Sequence, residues 1–189
     1  MNKLSKILLV AMAILVIAFG IIFNQYKQVL DERERQWERF LNEFYFALDV
    51  AIRSIEAVLN NEDQIEDQRL EEQLNELSTY LIKSGTILEA AQDFHDHDIR
   101  NTQFFQVAAD SIPTVAELKG ESPLDGDSLY EQERELMKFI HITLTEGKQL
   151  LYSEETGQEN PNLSVDEFNE IIQGHFGHAL NELFYEMDQ

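Results

Sequence analysis

Residues 30–59 read LDERERQWERFLNEFYFALDVAIRSIEAVL. Leu30, Trp37, Leu41, Phe44, Leu48, Ala51, Ile55 and Val58 recur at alternating steps of four and three, with Glu34 the one polar break. An α-helix returns to the same side every 3.6 residues, so this spacing predicts a helix with a heptad seam of the coiled-coil kind. Phe40, Tyr45, Ile52 and Leu59 widen the seam into the broad stripe that a helix buried in a bundle requires.

Upstream, residues 7–23 form an unbroken apolar run, ILLVAMAILVIAFGIIF, with no charge and no Pro. At helical rise it reaches roughly 25 Å, near the lower limit for crossing a hydrocarbon core. Lys3 and Lys6 precede the run, and Asn24, Gln25, Tyr26 and Lys27 follow it, an interfacial Tyr and Lys suiting a membrane boundary. The expectation is a transmembrane anchor over 7–23 behind a short tail, 1–6. The competing reading is a secretory signal cleaved after Ala18-Phe19-Gly20. Against it, Ile21, Ile22 and Phe23 extend the apolar run where a cleavage region turns polar. No Pro or Gly separates Phe23 from Leu59, so the anchor is expected to continue into the first helix as one rod. Counting bases alone, the short side is cytoplasmic and the domain extracytoplasmic, at the cell membrane. A cytoplasmic-facing domain, or a domain secreted after cleavage, is the alternative.

Downstream, Asn60 to Asp63 interrupts the pattern as a turn. A second helix is expected from about Ile65 to Gln92, with Leu70, Leu74, Leu77, Leu81, Leu88 and Ala91 in its seam and Ser84 in the gap. Residues 93–127 break the heptad and hold Pro113, Gly120, Pro123 and Gly126; they read as a long crossover in which Phe104 to Ala109 forms a short helix. Ser128 and Glu131 match a capping box opening a third helix, whose inner face is Leu129, Leu136, Phe139, Ile140, Thr143, Leu144, Leu150 and Leu151. Thr156 to Asn162, with Gly157 and Pro161, ends it as a loop. Ser164 and Glu167 form a second capping box, and the last helix runs to about Met187. The fold class expected is all-α: a single transmembrane helix continuing into an antiparallel four-helix bundle, an acidic domain over 24–189.

Composition narrows function. Net charge is −22, and all the Asp and Glu lie after Phe23. Such a field repels nucleic acid and anionic lipid, which excludes nucleic acid as a partner; solubility is the plainer reading, and a domain that stands off the bilayer or meets a basic partner is the other. The chain has no Cys, which removes disulfides, thiolate metal sites, Cys nucleophiles and anchoring through a lipidated Cys. No nucleophile elbow, phosphate loop, dinucleotide fingerprint or zinc-protease helix is present, so no catalytic residue is assigned and the chain reads as non-enzymatic.

Two clusters offer metal-type ligands. Asp93-Phe94-His95-Asp96-His97-Asp98 mixes imidazoles and carboxylates, with His95, Asp96 and His97 the candidates. Adjacent residues at a helix end splay outward, so a solvated terminus is the plainer reading. His175 and His178 sit three apart on the last helix, within reach of Glu170 and Glu182. A half-buried, hydrogen-bonded His is the plainer reading there. Leu30 and Trp37 lie at the membrane-proximal end of the seam, flanked by Asp31 to Arg35, and are the candidates for a short coiled-coil contact with a protein partner or a second copy.

The expected architecture resembles, in shape alone, the extracytoplasmic helical bundles of bacterial receptors, which return through a second membrane helix; this chain reaches Gln189 without one. The functional expectation is a membrane-anchored, non-enzymatic helical domain that scaffolds or regulates another envelope protein, with no cofactor. The alternative is an extracytoplasmic sensor or binding module for a metal or small ligand.

Overall fold

The structure is a computed structural model that describes residues 3–61, 66–94, 99–100, 102–115 and 127–187. It is mostly helical: α1 (Lys3–Asn61), α2 (Asp67–Phe94), α3 (Phe104–Asp110) and α4 (Asp127–Leu150) precede a small hairpin. After the hairpin, α5 (Val165–Ile171) and α6 (Gly177–Met187) are joined by a π-helical turn at Ile172–Phe176. The chain divides into two compact units, Met1–Arg39 and Phe40–Gln189.

The first unit is the N-terminal part of α1. Its large apolar side chains from Met12 to Phe23 are exposed on every side of the helix. Past them the surface is charged. Arg35 donates to Glu32 at 2.7 Å, and this bond first, with the guanidinium charge second, holds the Glu32 carboxyl below its ordinary range and raises Arg35.

The second unit is organised around phenylalanines. Phe40 and Phe44 of α1 meet Phe168 of α5 edge-on at 5.1 and 5.6 Å between ring centroids. Phe44 also meets Phe105 of α3, and Phe104 and Phe105 both contact Phe176 of the π turn. Each edge-to-face pair adds about 0.5–1.5 kcal/mol to the burial of its rings. The heptad stripe of α1 is buried from Leu41 to Val58, as are Leu70, Leu74, Leu77, Leu81, Leu88 and Ala91 of α2. Ser84 fills the gap in the α2 seam by donating its Oγ hydrogen to the Tyr80 carbonyl at 2.9 Å.

Three features differ from the sequence reading. The short helix expected within the crossover is present as α3, but its Phe104, Phe105 and Ala108 are fully buried, so the segment supplies core rather than only a connection. The buried face of α4 keeps the expected Ile140, Thr143 and Leu144 but also takes in Met137 and Gly147, while Leu136 and Phe139 are half-buried and Leu150 is exposed. Gly147 faces inward because a Cβ there would run into the Phe176 ring, so the bare backbone is what lets the ring in. The loop after α4 holds a two-stranded antiparallel ladder, β1 (Tyr152–Ser153) and β2 (Gln158–Glu159), with Tyr152 opposite Glu159. Its tight turn uses Gly157 at φ +70°, the left-handed region that glycine adopts without a Cβ clash.

The start of α5 follows the capping box. Ser164 Oγ accepts from the Glu167 N–H, and the Glu167 carboxylate accepts from the Ser164 N–H at 2.9 Å. The π turn then widens the helix. In an uninterrupted α-helix, Phe176 sits roughly 80° past Phe168 after eight residues. The wider turn, closed by Gly177 N–H to the Ile172 carbonyl, takes up part of that excess and keeps both rings on the buried face.

Candidate functional site

Four places carry the chemistry that the sequence singled out. The first is the apolar N-terminal segment. Among the described residues, one helix is long and apolar enough to cross a membrane, it lies near the N-terminus, and none of its apolar window is buried. Val16 and Phe19 are 71 and 73% exposed. Leaving nine large apolar side chains in water forfeits on the order of 20 kcal/mol relative to burying them.

The second is the pair Leu30 and Trp37. Leu30 is 46% exposed, whereas Trp37 is 9% exposed and has ring or polar contacts of its own. The break at Glu34 falls between an exposed and a buried seam position.

The third is the His and Asp cluster: His95, Asp96 and His97 lie outside the described residues. The flanking chain is held on both sides. Gln92 Nε2 donates to the Ile99 carbonyl at 3.0 Å, and the Arg100 N–H donates to Asn169 Oδ1 at 2.7 Å.

The fourth is the last-helix pair. His175 is half-buried, its ring set edge-on to Phe176, and its Nε2 lies 2.8 Å from the Thr143 carbonyl, so Nε2–H is the donor. His178 is exposed and faces Glu182 at 3.4 Å. The two imidazoles thus engage different partners. Among the described residues no group of three or more His, Asp or Glu is placed to hold a metal ion.

The structure adds a polar line between α1 and α4. Lys148 pairs with Asp49 at 2.5 Å, and Asp49 also takes Arg53 at 2.8 Å. One heptad along each helix, His141 lies 3.2 Å from Glu56. In the other direction Asn42 donates to Glu159 of the hairpin at 3.0 Å. Lys148 also lies over the Tyr45 ring, 5.0 Å from its centroid. Burial pushes the Tyr45 phenol up, and the Lys148 charge opposes that rise. The signal for this line was present as matched heptads, Asp49 and Glu56 against His141 and Lys148. In a chain with 36 Asp and Glu, spacing alone does not single out two of them. Asn169, buried and spent on the Arg100 N–H, carried no such signal, since its partner is 69 positions away.

Among the described residues, the second unit carries surface hollows. One, of about 420 Å³, lies between α2 and the segment after α3; another, of about 460 Å³, is shallower and lined by Leu150, Leu163, Glu170 and His175.

Comparison with protein-family models, curated proteins and solved structures finds no match to this chain. What stands is a helical protein with one apolar segment able to span a bilayer and an acidic, phenylalanine-cored unit.

Proposed function

We propose that the chain is a single-pass membrane protein whose acidic helical domain acts without catalysis, by binding and regulating another envelope protein. One observation carries this reading: the N-terminal helix exposes apolar side chains all round, while the second unit buries its own around a closed aromatic core. An all-round apolar helix needs lipid about it, and residues 7–23 are the stretch that fits. With Lys3 and Lys6 on the short side, the N-terminus faces the cytoplasm and the domain projects outward. The order of the Asp49–Lys148 and Glu56–His141 pairs, one rising in number as the other falls, supports an antiparallel packing of α1 and α4 within a four-helix bundle. The net charge of −22 selects a partner with a basic surface. Leu30, beside the charged stretch Asp31 to Arg35, is a first contact point for that partner or for a second copy.

The test is protease accessibility of a C-terminal tag in intact cells, followed by crosslinking and capture from the membrane fraction. Digestion of the tag and recovery of a basic envelope protein, lost at 0.5 M salt, is the expected result. A protected tag removes the topology, and a captured set unchanged by salt removes the electrostatic selection.

A further inference from the structure

The hollow between α2 and the segment following α3 has the composition of a small-ligand site. Its α2 wall is Glu71, Asn75 and Ser78, spaced four and three apart and therefore stacked along one stripe of the helix. None of these three side chains makes a hydrogen bond or ion pair among the described residues. Its floor is Leu74 and Ala109, both buried, and its far wall includes Ile112 and Pro113. Thr114 and Val115 complete that wall. Pro113 has no N–H, the Ile112 N–H is spent on the Ala109 carbonyl, and Thr114 has polar or electrostatic contacts of its own.

The hollow therefore presents the Glu71 carboxylate and the unspent Asn75 and Ser78 groups on one side, a wall of Ile112, Pro113, Thr114 and Val115 on the other, and no Lys, Arg or His in its lining. Glu71 is the one charged lining residue. At about 420 Å³ it falls within the range of small-molecule sites. The chain's charge of −22 raises the local concentration of cations. A neutral ligand leaves the Glu71 carboxylate without a counter-charge, and an anion is repelled by it.

We propose that this hollow binds a small organic cation, a primary ammonium on an aliphatic or aromatic body. The ammonium sits against Glu71, Asn75 and Ser78, and the body covers Leu74, Ala109 and Pro113. This site does not depend on the anchored-interaction reading, since its test reads ligand occupancy rather than topology or capture.

The full chain in uncharged micelles is titrated with phenethylamine, 2-phenylethanol and phenylacetate, following backbone amide shifts by NMR. Saturable shifts at Leu74, Ser78 and Val115 are expected with the amine, at least tenfold weaker binding with the alcohol, and none with the anion. Glu71→Gln should weaken the amine at least tenfold, and Glu71→Lys should transfer the response to phenylacetate. Glu72→Gln, which removes the same charge one position away from the hollow, should bind the amine as the parent does. Equal responses to amine and alcohol would overturn the proposal. So would an amine response unchanged in Glu71→Gln, or one lost equally in Glu72→Gln.

Discussion

Phe23 and Phe44 lie on the same helix, three heptads apart, and meet opposite fates. Phe23 is 61% exposed and Phe44 is fully buried. Their neighbours explain the difference. Around Phe23 the apolar side chains surround the helix, so no single partner face can cover them. Around Phe44 they occupy a stripe, with Glu43, Arg53 and Glu56 on other sides, and neighbouring elements cover that stripe. Equal hydrophobicity thus leaves a side chain exposed or buries it in a protein core according to how it is distributed about the axis.

The strongest way to break that comparison is to charge each stretch. Replacing Leu15 and Val16 by Arg costs ~5–7 kcal/mol of membrane insertion in total. Alkaline extraction should then release the protein, while the melting temperature of the released domain stays that of the parent domain. Phe176→Ala should do the reverse, leaving extraction unchanged and lowering domain stability by about 3–5 kcal/mol in chemical denaturation.

Two glycines sharpen the point within the core. Gly147→Ala drives a Cβ into the Phe176 ring and should cost about 1–3 kcal/mol. Gly174→Ala meets nothing within 4 Å and should raise stability by about 0.5–1 kcal/mol. Equal effects would remove the role of Gly147 in admitting the Phe176 ring.

At the start of α5, Ser164→Ala should cost about 1 kcal/mol. Hydrogen bonds from Ser164 hold the Glu167 carboxyl below its ordinary 4.5. A depressed carboxyl contributes stability that is complete above that value and is lost as pH falls through the folded-state pKa. The melting-temperature gap between the parent and Glu167→Ala should therefore be constant near neutrality and close below pH 4.5. The smallest effect is expected on the surface line. A double-mutant cycle on Asp49 and Lys148 should give a coupling of about 0.5–1 kcal/mol, reduced in 1 M salt.

Much of the helix content was legible from periodicity. The seam over Trp37 to Val58, the α2 leucines and the Ser164 capping box are local patterns, each complete within a few turns. The short helix at Phe104 was legible too, but not its place in the core, because seven residues are too few to display a buried period. Other elements were not legible. The hairpin rests on two residue pairs and the turn at Gly157, below the length at which alternation can be read. On α4, Ile140, Thr143 and Leu144 were legible, whereas Gly147 was not: it is less hydrophobic than Leu136 or Leu150, and its burial is set by where the Phe176 ring needs room. Of the site residues, Glu71, Asn75 and Ser78 look like an ordinary solvated helix face; only the wall opposite them makes a hollow.

The sequence by itself determined the apolar N-terminal helix, the predominance of helix and the acidity after Phe23, because these depend on residue type and on spacing along one segment. The tertiary structure alone decided that α3 belongs to the core, that α4 turns Gly147 inward, that a π turn aligns Phe168 with Phe176, and that His175 is spent on the Thr143 carbonyl. Each of those depends on a partner far away in the chain, and no local pattern records which distant side chain will occupy the space.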